Sequence, residues 1–439
     1  MKKVALISLG CAKNLVDSEV MLGFLQQSGY TFVTDTQKAD VVIVNTCGFI
    51  QPAKDEANET LANAVKTKKK GKIKKLIAVG CYVERNPYEL QKAFPDVDVW
   101  MGITDFDKIV SAVEGIPYKS SSRCYLYDHR SPRFVSTPSA WAYVKISEGC
   151  SHNCSFCAIP LIKGPYRSRS IASIKTECLS LVSRGVKEIN LISQDSTYYG
   201  RDAGLSNGLA ELLKELIGIE RLKWVRILYG YPGEISDPLL EIMQEEKICS
   251  YLDIPFQHAD TKIIKAMKRG LDGHRALNLI EKIRKKLPDI SLRTSLIVGF
   301  PGEGRREFAH LKSFVASAQF DHLGVFIYSP EEGTDCFSLG DPIHDSVKQE
   351  RLEEIFQIQA EISLKNNSKY LGKTVDVLVE GHLNDQTNIL LSRGRFQAPE
   401  VDGVVLINLD KSTPDCVNSI QKVEITDRDV YDLIGKIIQ

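Results

Sequence analysis

Three thiols fall within eight residues, Cys150, Cys154 and Cys157 in "EGCSHNCSFCAIP", a C-x3-C-x2-C motif with no fourth cysteine behind it. Thiolates so close together are metal ligands. A closed structural site takes four of them, whereas a catalytic centre keeps one coordination position open. Three cysteines can hold three irons of a cubane iron–sulfur cluster and leave the fourth iron open. The ligand that suits such an iron is S-adenosylmethionine, whose amino and carboxylate groups chelate it. An electron from the cluster then splits the sulfonium, giving a carbon radical that takes hydrogen from an unactivated C–H bond. Side-chain acids and bases cannot do this, so the cofactor carries the chemistry. The competing reading is a zinc site completed by a distant ligand such as His152 or His258. Its weakness is the spacing, which departs from the C-x2-C pairs of zinc modules.

A second trio lies earlier. Cys11, Cys47 and Cys81 each follow directly on an apolar run, in "SLGC", "NTC" and "AVGC". If those runs are neighbouring parallel strands, their carboxyl ends lie together at the edge where open α/β sheets bind ligands. The bland alternative is three buried, inert thiols. Equivalent positions in successive strand–helix units favour a second iron–sulfur cluster, again one protein ligand short.

The elements that must carry these thiols are legible. "KVALISL" (3–9), "DVVIVNT" (40–46), "KLIAVG" (75–80) and "VDVWMG" (97–102) alternate with helical patterns. Fully apolar strands in such alternation predict a parallel sheet covered on both faces. Residues 116–138 have no sustained period, with three prolines and a serine cluster, and read as a linker. From Trp141 a second series begins: "AYVKIS" (142–147), "EINLIS" (188–193), "WVRIL" (224–228), "YLDIP" (251–255), "LRTSLIVGF" (292–300) and "LGVFIY" (323–328). Six βα units suggest a partial barrel with its active site at the strands' C-terminal ends. The first cysteine motif stands directly after the first of these strands. Beyond a helical stretch at 346–366, short alternating runs indicate a small β-barrel.

A chain of 439 residues with 43% hydrophobic and 26% charged residues is a multidomain globular protein. Its 56 basic and 56 acidic residues give no overall pull toward nucleic acid or membrane. The apolar run at Val4–Leu9 is too short for a signal peptide, and no run reaches the length of a membrane span. A cytoplasmic location is expected, where clustered cysteines bind metal more often than they form disulfides.

The C-x3-C-x2-C motif in the loop after strand one of a (β/α)6 partial barrel resembles the radical S-adenosylmethionine enzymes. Phe156 fits the aromatic habit of the position before the last cysteine. The resemblance implies that Cys150, Cys154 and Cys157 bind a catalytic [4Fe–4S] cluster. Cofactor candidates then follow by position on the barrel rim: Gln194 and Asp195 after strand two, Tyr229 after strand three and Gln257 and His258 after strand four. The run "GFPGE", with Gly299, Pro301 and Gly302, follows strand five. Loop structure and strand termination would account for any one of these.

Two trios and a terminal β module resemble, within that family, the methylthiotransferases, which insert sulfur at a C–H bond and cap it with a methyl group. The resemblance implies a methylthiotransferase N-terminal domain at 1–115, a linker at 116–135, a radical core at 136–366 and a TRAM-like β-barrel at 369–437. It implies two [4Fe–4S] clusters, the second on Cys11, Cys47 and Cys81 and implicated in holding or donating sulfur. It also implies an electron donor such as flavodoxin or ferredoxin. Some members modify an adenosine of transfer RNA; the RimO-type modify the β-carbon of an aspartate in ribosomal protein S-twelve. "SLGCAKNLVDSEVM", "YLDIPFQHAD", "VFIYSPEEGT" and "RFQAPEVDG" resemble the protein-modifying branch.

Charge supports that branch. Residues 369–439 hold eight basic against eleven acidic side chains, whereas a module gripping phosphates should be basic. Against it stands "KTKKKGKIKK", seven lysines at 66–75. Such runs are usually solvated helix ends, so RNA contact is a secondary expectation. Two departures from the family's wording stand out: "GRREF" after "GFPGE", and Lys163 where arginine is expected. Cys124, Cys178, Cys249, Cys336 and Cys416 fit neither trio and read as packing or surface residues. The rival from another class is a metal-stabilised RNA-binding protein without catalysis.

Overall fold

The computed structural model describes residues 2–383, 386–409 and 416–438. Asp385, Asp410, Lys411 and Asp415, four of the charges counted above, lie outside them. The chain folds as two compact units. The first runs from the N-terminus to Ser136 and takes in Lys145–Ile174 and Glu331–Phe337; the second comprises the remainder.

In the first unit, β1 (Lys3–Ser8), β2 (Thr31–Phe32), β3 (Val41–Thr46), β4 (Lys75–Gly80) and β5 (Val99–Met101) form a parallel sheet in the order β2-β1-β3-β4-β5. Its helices are α1 (Ala12–Gln27), α2 (Gln51–Lys69), α3 (Cys81–Arg85), α4 (Pro87–Ala93) and α5 (Ile109–Glu114). β3 is buried along its whole length and β4 after its first residue, as near-continuous apolar runs require in a sheet covered on both faces. The two-residue edge strand β2 was not among the expected elements. Residues 116–138 are irregular, as their composition predicts, yet their first part is no loose tether. Tyr127 is buried, Tyr125 N donates to Ile103 O, and Arg133 is bound to Glu19 of α1.

β6 (Trp141–Lys145) runs from the second unit into the first. It is followed by β7 (Ser147–Glu148), α6 (Ile159–Lys163), β8 (Arg167–Ser168) and α7 (Ile171–Ser183). In the second unit come β9 (Glu188–Ile192), α8 (Gly208–Ile217), β10 (Trp224–Ile227), α9 (Asp237–Ile242), β11 (Tyr251–Asp253), α10 (Thr261–Ala266), α11 (Gly273–Lys286), β12 (Ser291–Val298), α12 (Arg305–Ala318) and β13 (His322–Ile327). The strands form two sheets, β10-β9-β6 and β11-β12-β13, linked by a bridge from Val225 to Ile248 and a bond from Gly230 N to Asp253 O. Six strands thus follow one another in chain order, with helices between, as a partial (β/α)6 barrel.

After α13 (Asp345–Ser368), the strands β14 (Thr374–Leu383), β15 (Gln386–Gly394), β16 (Val405–Asn408), β17 (Ile420–Arg428) and β18 (Leu433–Ile437) close into a barrel around Val377, Leu390, Ile407, Val423 and Ile425. The expectation of a small β-barrel holds.

The segment 393–402 of this module packs against the N-terminal ends of the partial barrel's strands. Arg393 Nη2 donates to Glu188 Oε2 at 2.6 Å, and Arg226 bonds Glu188 and the carbonyl of Arg395. Tyr251 donates to Asp402, Tyr143 to Glu400, and a ring nitrogen of His322 meets Phe396 O. This end of the barrel is therefore a paired, charged core.

Candidate active site

The N-terminal trio sits where its strands predict. Cys11 is the N-cap of α1, Cys47 follows β3, and Cys81 follows β4 as the first residue of α3. Glycines let these strand ends touch. Gly10 has φ +85°, and a Cβ there would lie 2.8 Å from Cys47 Sγ; Gly80 has φ +101° and no room beside Asn45.

The polar run that follows Cys11 has a matching set of partners. Asn14 donates to Leu9 O at 2.7 Å and to Asn45 O at 3.3 Å, stapling the loops that bear Cys11 and Cys47. Ser18 donates to Ser8 and accepts from Asn45. Glu19 receives Arg133 and both the amide and hydroxyl of Ser136. Asp17 pairs with Lys145 and Lys163. Burial pushes the Cys47 thiol up to about 11, with the charge of Cys11 adding to it, and burial also raises Cys81, with the charges of Cys47 and Cys11 adding there. Such thiols give up their protons to a metal rather than to water.

The trio Cys150, Cys154 and Cys157 occupies the loop between β7 and β8, whose antiparallel ladder, Ser147 with Ser168 and Glu148 with Arg167, pins the loop's base. Cys150 N donates to Gly164 O and Cys157 N to Cys154 O. The segment 331–337 is tied to the same loop by Cys336 N donating to Ser155 O. Its Glu331, 1% exposed, takes both Lys54 and Arg85 at 2.7 and 2.6 Å. Sequence reasoning did not single out this carboxylate.

Among the described residues, no three His, Cys, Asp or Glu side chains stand gathered so as to hold a metal ion as they are. None of the eleven cysteines is paired in a disulfide. The donor set nonetheless fits iron–sulfur ligation: soft thiols, three to a loop cluster, with no disulfide competing for them. Of the zinc alternatives, His258 is committed elsewhere. Its Nδ1 accepts the Asp260 amide, so Nε2 carries the proton that meets Glu303 Oε2 at 3.0 Å.

The rim residues of the second unit lie at strand ends as expected. Asp195 caps the turn 196–198, its side chain accepting the amides of Thr197 and Tyr198. Gln194 stands beside it. Tyr229 and Gln257 both have positive φ, +64° and +72°, a strained state that persists where surrounding structure imposes it. Gly299, Pro301 and Gly302 form the loop after β12. Glu303 holds that loop from beneath, accepting Gly299 N at 3.1 Å and Arg351 Nη1 at 2.6 Å beside His258. Arg351, on α13, was missed because nothing local in sequence marks it. Of the other cysteines, Cys124, Cys178, Cys249 and Cys336 are buried and Cys416 is half-buried, in keeping with packing roles.

Comparison with known proteins identifies the class. Residues 3–102 match the uncharacterized protein family UPF0004, 144–315 the radical SAM superfamily and 371–438 the TRAM domain. The radical S-adenosylmethionine methyltransferase TsrM from Kitasatospora setae shares the fold. It has TM-score 0.55 and 15% identity, with 77% of each chain covered. The protein is a radical S-adenosylmethionine enzyme, a class that works through a [4Fe–4S] cluster. Full-length relatives narrow this. The ribosomal protein uS12 methylthiotransferases RimO of Syntrophotalea carbinolica and Aquifex aeolicus are 45% and 44% identical, covering 100% and 99% of this chain and 97% of each relative. The chain belongs to the RimO family of methylthiotransferases.

Proposed function

We propose that the protein methylthiolates the β-carbon of an aspartate in ribosomal protein S-twelve. The observation that carries this is full-length similarity to enzymes named for that substrate, in a chain bearing both cysteine trios. The similarity does not favour the transfer-RNA alternative. The lysine run argues for a structural role as well: Lys68, Lys69 and Lys74 pair with Asp98, Asp96 and Asp40.

Cys150, Cys154 and Cys157 would hold the cluster that engages S-adenosylmethionine, and Cys11, Cys47 and Cys81 a second [4Fe–4S] cluster. When bound, these groups supply the radical that removes hydrogen, the sulfur and the methyl group. The chain's own work is placement. The β7–β8 ladder fixes one loop and Asn14 the other. Gln194, Asp195, Gly299, Pro301 and Gly302 are the proposed contacts to S-adenosylmethionine, with Glu303 shaping their loop. Electrons would come from a flavodoxin or ferredoxin. No helix among the described residues is long and apolar enough to cross a membrane, and we place the reaction in the cytoplasm. The domain limits proposed are 1–115, 116–135, 136–366 and 369–437.

The test is anaerobic reconstitution with iron and sulfide, then reductant and S-adenosylmethionine with an S-twelve peptide or transfer RNA. A peptide gain of about 46 Da at one aspartate, with 5′-deoxyadenosine released, supports the proposal. The same gain on RNA overturns it.

A further inference from the structure

Four buried charges from three separate stretches meet in the first unit. Lys145, at the end of β6, donates to Asp17 of α1 and to Glu148 of β7, the latter at 2.7 Å. Lys163, at the end of α6, lies 3.5 Å from both Asp17 and Glu148. All four side chains are at most 4% exposed. Two ammoniums and two carboxylates balance, so the set is neutral before any thiol loses its proton.

The two lysines are not equivalent. Lys145 makes a short bond to each carboxylate. Lys163 is held at ion-pair range, beyond a good hydrogen bond, so its charge is only loosely spent on the carboxylates. Its helix packs on α3, which Cys81 opens, and Cys81 lies in one apolar cluster with Ala158, the N-cap of that helix, and Ile162, the residue before Lys163.

We infer that Lys163 is a positioning residue for the N-terminal thiol trio, its buried ammonium compensating the anionic ligand set at Cys81 and raising the reduction potential of the group held there. This rests on the reading that Cys11, Cys47 and Cys81 hold a cluster. The physical reason is that net charge nearby and solvent exclusion tune such potentials, and that an anion buried without a cation is costly. The lysine standing where arginine was expected fits the role: a point charge need not fork onto the carboxylates.

The experiment uses the full chain with Cys150, Cys154 and Cys157 changed to alanine, so that one cluster's signal remains, read by potentiometry with electron paramagnetic resonance. Lys163→Met with Asp17→Asn keeps the buried set neutral, so folding can be retained. It should move the midpoint negative by at least a tenfold change in equilibrium, ~59 mV for one electron. Lys145→Met with Asp17→Asn, and Lys163→Arg alone, should leave it near the parent value. Loss of the iron in the Lys163 double variant alone, with circular dichroism unchanged, would also support the inference. An unmoved midpoint overturns it, as does an equal shift in the Lys145 double variant. If the parent shows no cluster signal, the reading beneath it fails instead.

Discussion

Arg393 and Glu188, 205 residues apart in the chain, meet at 2.6 Å with side chains 2% and 0% exposed. Arg226 completes the set from the other side of Glu188 at 2.8 Å, so the carboxylate is held between two guanidiniums. Arg393 also pairs with Glu380, whose side chain is 8% exposed, so removing Arg393 leaves two buried carboxylates facing the single guanidinium of Arg226. Arg393→Met should therefore cost about 3–5 kcal/mol of stability, measured by urea unfolding. A loss under 1 kcal/mol would mean water reaches the site.

The same carboxylate makes a pH prediction. Burial alone would push Glu188 up, but Arg393 and Arg226 outweigh it and hold the carboxyl below its ordinary value. A lowered folded value contributes stability that is complete above the unfolded value, about 4.3, and is lost as pH falls through the folded one. Glu188→Gln should thus be destabilised relative to the parent at pH 6, with the gap narrowing as pH drops below about 4. Unfolding midpoints at several pH values would check this.

Asn190 lies on β9 opposite Arg226 of β10, fully buried, with neither amide atom hydrogen-bonded among the described residues. An unsatisfied buried polar group costs roughly 1–3 kcal/mol. Asn190→Leu should accordingly raise the thermal midpoint, whatever it does to activity. A fall would show that the amide has a partner in solution.

Glu303 gathers Gly299 N, Arg351 and His258 around one carboxylate. Glu303→Gln keeps the shape and removes the charge. Binding of S-adenosylmethionine to reconstituted protein should weaken by about tenfold, the effect of losing one charge-assisted hydrogen bond. Calorimetry would measure this, and unchanged affinity would detach the loop from the cofactor.

Iron analysis separates the trios. Replacing Cys150, Cys154 and Cys157 by alanine should remove about four irons per chain, and replacing Cys11, Cys47 and Cys81 another four. Retention of all iron in either triple variant would remove that trio from the ligand set.

Much of this was legible in the sequence because it is local. Strands such as "VVIV" (41–44) and "LIAV" (76–79) are unbroken apolar runs, and each cysteine of the N-terminal trio stands just after such a strand. The two-residue strands β2, β7 and β8 are too short to leave a period. The buried charges were hidden for another reason. Lys145 in "AYVKIS" and Arg226 in "WVRIL" read as polar interruptions of a strand, and the groups that receive them, the carboxylate of Asp17 and the carbonyls of Gly394 and Arg395, lie far away in sequence. Pairing at such range is a property of the fold and leaves no spacing to detect. In sequence "RFQAPEVDG" is family wording alone; in the fold it supplies residues that meet the barrel's strand ends.

The acids of α1 bear on the order of synthesis. Asp17 and Glu19 emerge from the ribosome early, yet their partners Arg133, Ser136, Lys145 and Lys163 are more than a hundred residues behind. Until those arrive, a nascent sheet domain carries two carboxylates that cannot be buried at a profit, and it must wait, loosely packed, for the start of the next domain. A fragment ending at residue 115 would stay in that waiting state.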